Sequence, residues 1–408
     1  MLPALRFLIF SDPPPSVHSN ILCFTLTPNI PLQRSRKSTS IMATANMRRG
    51  RRAEVADRLA IRRARMHHLI HNNDTVSESV PLFQYSPLPD DSIRFLQLLH
   101  DPDKNAPVRC TISHLMLPDD RHGETSCLFE ALSYVWGPGV KDKSVLIQTD
   151  FGTTRMGVTT SVHEALLRLR DPFIDRFIWA DAICINQDDV DERERQVRMM
   201  ARVYASASRV LVWLGNDEGD GANALRSLLR MARPGAQPLP SDSGALCALL
   251  KRPWFTRMWV LQEVAVARQV SVMYGSLMTE GQAFCIGLMS LCPLVEDQSL
   301  QWLARSAAQL MQGAAFRPRF ALQYSDANPF GEDITGTRTK TLGELIDMFH
   351  DRKATKPHDK IFALLGLCTD TAVDGLLPNY SIPWSELFRR LIVHLLGNNA
   401  VAVKTWDV

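Results

Sequence analysis

The chain has 408 residues and is 45% hydrophobic, 22% charged and 8% aromatic, which suits a globular protein with a sizeable core and excludes global disorder, collagen and coiled coil. Its net charge of +3 hides an imbalance: residues 1–65 hold 12 Lys+Arg against 3 Asp+Glu, and the rest holds 34 against 40. A mildly acidic body therefore carries a basic arm, and the length fits two domains better than one.

Residues 1–90 read as a disordered, basic N-terminal arm, rich in Ser, Thr and Pro. Ala4 to Phe10 is apolar but short, and Pro13-Pro14-Pro15 follows it without a small-residue cleavage site, which argues against a secretory signal. Ala53 to Ile70 predicts one weak helix, with Val55, Leu59 and Ile70 set among arginines. Arg-rich, acid-poor sequence also fits a transit peptide, and RRGRR at 48–52 a nuclear or nucleic-acid patch. A solvated tail is the plainer reading. Met42 and Met47 are alternative starts.

The pattern changes near residue 107. FEALSYVW at 129–136 predicts a strand, stopped by Gly137-Pro138-Gly139. Lys143 to Thr149 predicts a second. Ser161 to Glu164 has a capping-box pattern, and Val162, Ala165, Leu166 and Leu169 then recur at the spacing of an amphipathic helix. Arg176 to Ile185 is an almost unbroken apolar run, as in strands buried on both faces. Asp188, Asp189, Asp191 and Glu192 crowd the start of a helix, where its dipole favours negative charge. Val197, Met200, Val203, Tyr204 and Ala207 are that helix's predicted buried stripe. Arg209 to Leu214 predicts a strand ended by Gly215. Helical pieces around 225–231 and 246–250, a helix at 257–267 and a strand at 270–274 follow. The alternation predicts an α/β domain over 107–275 with a mainly parallel sheet flanked by helices. Residues 276–408 predict a mostly helical C-terminal region.

Eight cysteines at 23, 110, 127, 184, 247, 285, 292 and 368 form no C-x-x-C pair and no zinc-finger spacing, so neither a metal nor a disulfide framework is expected. Reduced thiols point to a reducing compartment, the cytoplasm or the nucleus. No apolar run reaches the roughly 18 residues that a membrane span needs. Phosphate-loop, G-x-S-x-G and H-E-x-x-H motifs are missing. Gly215, Gly219 and Gly221 are interleaved with Asp217, Glu218 and Asp220, which would repel phosphate.

Open parallel sheets bind ligands beyond the carboxyl ends of their strands. Those ends carry Trp136-Gly137, Asn186-Gln187 and Gly215. Asn186 and Gln187 could hydrogen-bond a polar ligand, and turn or cap formation is the competing reading. Asp181 sits inside an apolar run, so its carboxylate must be bonded, paired or protonated. Structural pairing and ligand contact both remain open for it. RPWFTRMWVLQE at 252–263 is the densest cluster: Trp259 and Glu263 lie four apart, on one helical face. A packed Trp anchor with Glu263 paired to Arg257 or Arg268 is the structural alternative.

FEALSYVWG (129–137), RFIWADAICINQDDVDERERQVRMMARVYASASRVLVWLG (176–215) and RPWFTRMWVLQE (252–263) resemble, in order and spacing, segments of the fungal heterokaryon incompatibility (HET) domain family. PHDKIFALLGL (357–367) resembles a segment that often follows that domain, with His358 where Arg is more usual and Phe362 where Tyr is. Members often continue beyond the point that corresponds to Val408. The resemblance implies a role in fungal nonself recognition, in which HET domains trigger programmed cell death. It also implies a flavodoxin/TIR-like sheet, since the family is remotely similar to TIR domains. Some TIR domains hydrolyse NAD with a glutamate on a helix after a Trp-containing motif, and Glu263 stands in a comparable place. On that reading Glu263 is the catalytic residue, and Trp136, Gly137, Asp181, Asn186, Gln187 and Trp259 are ligand-binding residues. NAD is then the substrate, with no bound cofactor. The alternative is a non-catalytic signalling module that works by self-association with protein partners. Nucleic-acid binding is the weakest reading, because the arm lacks interleaved aromatics and the body is acidic.

Overall fold

The computed structural model describes residues 80–117, 128–216, 221–316, 341–368, 370 and 374–396, and the side chains of 313–316 are left aside. The basic helix expected at 53–70, the RRGRR run and the acidic residues 217–220 lie outside the described residues. All the described residues belong to one structural unit. Of the arm expected over 1–90, residues 80–90 are described. There Phe83 N–H donates to Arg155 O at 2.9 Å, and the Tyr85 hydroxyl donates to Ile183 O at 2.9 Å.

The described strands are β1 Ser92–Leu98, β2 Arg109–Met116, β3 Glu130–Ser133, β4 Lys143–Thr149, β5 Gly152–Val158, β6 Arg176–Trp179, β7 Arg209–Trp213, β8 Val270–Tyr274 and β9 Leu277–Glu280. They form one sheet in the order β5-β4-β2-β1-β6-β3-β7-β8-β9. The expectation of a mainly parallel sheet is corrected: the sheet is mixed. β6, β3, β7 and β8 run parallel at its centre, and β2 pairs parallel with β4. The pairs β1–β2, β1–β6, β4–β5 and β8–β9 are antiparallel. Short connections explain two of these pairs. Two residues join β4 to β5 and two join β8 to β9, and a link so short can only reverse the chain. In the second, Gly275 at φ 52° supplies the positive φ that such a turn needs.

β1 carries a misleading signature. Arg94 interrupts its apolar residues, yet is only 3% exposed. Its guanidinium forks onto Glu192, with one contact at 2.5 Å and the other at 3.0 Å, so a buried pair makes a core strand look polar.

The helices are α1 Thr160–Leu169, α2 Asp181–Cys184, α3 Val190–Ser206, α4 Gly221–Met231, α5 Asp242–Leu250, α6 Val260–Ala265, α7 Gly281–Leu291, α8 Gln298–Phe316, α9 Leu342–Phe349, α10 Asp359–Leu365 and α11 Trp384–Leu396. A 3-10 turn, Pro253–Thr256, precedes α6. α1 buries Val162, Ala165, Leu166 and Leu169, as its spacing predicts. Its start differs: the boundary residue is Thr159, and Asp142 accepts the Thr160 N–H at 3.1 Å, so the capping box expected at Ser161 does not form. α3 starts at Asp189, whose side chain accepts the Glu192 N–H at 3.0 Å. The apolar run at 176–185 is β6 followed by the single turn α2, not one strand. Burial on all sides erases the periodicity that would separate the two.

Two apolar cores result. The larger lies around the sheet and α1–α8, with Trp179, Trp213 and Trp254 fully buried in it. The second gathers Leu342, Leu345, Phe349, Phe362, Leu387 and Leu391 from α9–α11. α6 serves both: Val260 and Val264 face the first, and Leu261 joins the second together with Met258 just before the helix.

Candidate functional site

Within the parallel group, the chain steps from β3 to β6 on one side, then crosses to β7 and β8 on the other. Such a reversal opens a crevice beyond the carboxyl ends of the strands. A cluster of polar side chains occupies that end. β3 delivers Ser133 and, just after it, Tyr134 and Trp136. β6 leads into Asp181 at the start of α2. The 3-10 turn supplies Trp254 and, at its end, Arg257. α6 supplies Glu263.

Glu263 is 1% exposed. One carboxylate oxygen accepts the Ser133 hydroxyl, and the other lies 3.7 Å from the Arg257 guanidinium. The Ser133 oxygen in turn accepts the Trp254 indole N–H at 2.9 Å. Arg257 also donates to Tyr134 O. Half-buried Asp181 accepts the Trp136 indole N–H on both oxygens, at 3.0 and 2.9 Å, and the Ala182 N–H at 2.8 Å. Every carboxylate oxygen in the cluster thus has a partner, as burial requires. The Tyr134 hydroxyl joins them. It is buried beside Asp181 and interacts with that carboxylate.

Desolvation dominates the electrostatics. It pushes the Glu263 carboxyl up to about 7, although Arg257 and the Ser133 hydroxyl pull the other way. Asp181 is raised for the same reason, against Arg257 and the Trp136 indole. Arg257 stays firmly charged, since Glu263 and Asp181 outweigh its own desolvation. Tyr134 and Tyr204 are driven far up by burial and by these carboxylates. A carboxyl that exchanges its proton near neutral pH, beside a fixed cation, is equipped for acid–base work or for stabilising a developing positive charge.

The structure brings Trp136, Asp181 and Glu263 into one cluster, linked through Arg257. Gly137 lies beyond Trp136, exposed at φ 76°, where an added Cβ would meet nothing within 4 Å. Gln187 donates to Asp181 O at 3.0 Å, and Asn186 accepts the Asp188 N–H at 3.3 Å. Both shape the turn after α2. The Glu263 N–H donates to Trp259 O at 3.2 Å, the expected helical spacing, but the Trp259 indole is bonded to Asp359. Of the two arginine partners considered, Arg257 takes Glu263, while Arg268 donates to Ala205 O at 2.7 Å. Ser133, Tyr134 and Trp254 escaped the sequence reading as site residues. A hydroxyl closing the apolar strand EALS was the available signal for Ser133. Among the described residues no group of His, Cys, Asp and Glu is placed to hold a metal ion, and no helix is long and apolar enough to cross a membrane.

Residues 129–263 match the family described as "Heterokaryon incompatibility protein (HET)". That span begins at Phe129, just before β3, and ends on Glu263. Among curated proteins, "Heterokaryon incompatibility protein 6, OR allele" of Neurospora crassa is 25% identical over 337 residues, covering 68% of this chain and 48% of its own length. "Vegetative incompatibility protein HET-E-1" of Podospora anserina is 25% identical over 143 residues, covering 35% of this chain and 9% of its own length. The match therefore spans about half of the first relative and a small part of the second. No solved structure matches the chain.

Proposed function

Residues 129–263 form a HET domain, and from that premise we propose that the protein acts in fungal nonself recognition and triggers cell death through chemistry at the cluster of Asp181, Arg257 and Glu263. The observation that carries this reading is a carboxyl only 1% exposed, held by Ser133 and Arg257 and pushed up by its burial, at the sheet position where open α/β folds bind ligands. The strand order β6-β3-β7-β8 is that of a flavodoxin-like sheet, which supports the remote likeness to TIR domains and NAD as substrate.

The chemistry asks little of the protein. Nicotinamide in NAD is a cationic leaving group, so the bond from C1′ of the ribose to the ring nitrogen breaks with its electron pair going to nicotinamide. No acid is needed. An ionised Glu263 would stabilise the oxocarbenium-like transition state, as carboxylates do in glycoside cleavage. Water then adds at C1′ and gives up a proton to the carboxylate. The substrate reaches Glu263 only when Trp136 or Arg257 moves, because in this conformation those two side chains, with Asp181, are the members of the cluster that touch solvent.

One observation favours the second reading, a non-catalytic module acting by self-association in the cytoplasm. Glu263 is closed off by Ser133 and Arg257, as a structural carboxylate would be. Expression of wild type and Glu263→Gln in yeast, with viability and cellular NAD measured together, separates the two. The catalytic reading expects NAD loss and killing in the wild type and neither in the variant. Killing with NAD unchanged in both strains leaves the signalling module.

A further inference from the structure

The segment that holds Arg257 and Glu263 is short and irregular: a 3-10 turn, three residues and the six-residue α6. A helix of that length is not stable on its own. Neighbours must hold it, and several of them come from the C-terminal helical region. Lys353 N–H donates to Thr256 O at 2.6 Å and Met258 N–H donates to Lys353 O at 2.9 Å, so the two segments run side by side at Arg257. Arg352 is 1% exposed. It donates to Phe255 O, and to the Ser306 hydroxyl at 2.6 Å. The Gln262 amide lies 3.4 Å from Phe362 O.

The remaining tie runs through a carboxyl group. Asp359, at the start of α10, is 8% exposed. It accepts the Tyr380 hydroxyl at 2.7 Å and lies beside the Trp259 indole, whose N–H helps hold its carboxyl down. Tyr380 is itself enclosed: Arg193 and Lys356 lie over its ring at 5.5 and 4.5 Å, its N–H donates to Glu194 at 2.7 Å, and His358 stands 6.0 Å away. Arg193 and Glu194 belong to α3, which starts just beyond α2 and Asp181. Asp359 thus joins α10 to the Tyr380 segment beside the residue from which α6 begins, and Tyr380 in turn meets α3.

We propose that Asp359 is a positioning residue for Glu263: by fixing the Trp259 indole it sets where α6 begins, and so holds Glu263 against Ser133 and Arg257. The C-terminal region is then a working part of the site, not only its cover. The inference rests on the cluster being the functional site, but its test does not need activity.

The readout is the titration of Glu263 in the full chain, followed by NMR with 13C-carboxyl-labelled glutamate. The groups that face Glu263 are Arg257, Asp181, Tyr204 and the Ser133 hydroxyl. The wild type should show one glutamate titrating near pH 7, well above the ordinary carboxylate range, and Glu263→Gln should lack it. Trp259→Phe removes the indole N–H together with part of a ring that packs against both apolar cores, and Tyr380→Phe removes only one bond to Asp359. Asp359→Ala removes the acceptor altogether, while Asp359→Asn keeps an acceptor of the same shape. Trp259→Phe and Asp359→Ala should move the Glu263 midpoint down by about one pH unit or more as water enters, Tyr380→Phe by less, and Asp359→Asn should restore it. An unmoved midpoint in a folded Trp259→Phe variant overturns the proposal. Should Asp359→Ala fail to fold, Trp259→Phe decides together with Tyr380→Phe, whose smaller shift no lost ring volume explains; an unmoved midpoint in both overturns the proposal. Absence of any such titration in the wild type overturns the proposal together with the description of the cluster. A shifted midpoint with NAD unchanged in cells keeps the positioning role and removes the catalytic reading.

Discussion

At the scale of single residues, the cluster spends stability to keep Glu263 buried. A carboxyl raised by burial binds a proton in the folded chain that the unfolded chain has already released. Its free carboxyl titrates at 4.5 and its folded carboxyl at about 7, so folding takes up a proton between those values. Stability therefore falls as pH rises through that window, by at most about 3 kcal/mol from this group. Raised Asp181 acts in the same direction. Asp175 and Asp242, whose carboxyls are held low, act oppositely, but their effect is complete below the window. His163, held low by burial, acts oppositely inside the window, so urea midpoints measured from pH 5 to pH 8 should fall more, or rise less, for the wild type than for Glu263→Gln. Equal slopes would show that Glu263 ionises as an ordinary surface carboxyl does.

At the scale of elements, helix packing fixes where the scaffold under the site can give. α7 crosses α4 so closely that a Cβ on Gly287 would lie 2.1 Å from the Leu228 carbonyl oxygen, a backbone atom that cannot swing away. Gly287→Ala should destabilise the protein by about 1–3 kcal/mol through forced separation of the two helices. Gly244, exposed in α5, has nothing within 4 Å of the same addition. Gly244→Ala should be neutral, or stabilising by up to about 1 kcal/mol. Thermal midpoints of the pair check both signs, and the contrast isolates packing from backbone entropy. A loss at Gly244 equal to that at Gly287 would mean that the crossing is not the cause.

At the scale of the whole molecule, what was legible followed from periodicity. The stripe of α1, the acidic start of α3 and strands β4, β7 and β8 stand where apolar spacing and turn residues put them. β1 was not legible because Arg94 is paired inside the core, and the antiparallel pairs β4–β5 and β8–β9 follow from links too short for a crossover. In the site, Asp181 and Glu263 were visible as acids in apolar surroundings. The hold on Glu263 by Ser133 and Arg257 was visible only as one of two arginine pairings, because contacts between residues 130 apart leave no local pattern. The same is true of the tie from Asp359 to Trp259, and it bears on cooperativity. If residues 352–380 merely lay against the α/β unit, they would open before it does, since regions with few shared contacts open at lower free energy. The shared use of α6 by both apolar cores argues for one cooperative unit. Native-state hydrogen exchange reads this directly at two amides, Met258 N–H and Lys353 N–H, which cross between the regions. Both should exchange only with the opening that also frees the amides of the central strand β7, such as Leu211 and Val212. Exchange of the crossing amides at markedly lower free energy than β7 would mean that the C-terminal helices detach on their own. Glu263 would then lose its hold in a minor state of the folded protein, and access to the buried carboxylate would be controlled from α10, not from the strand ends.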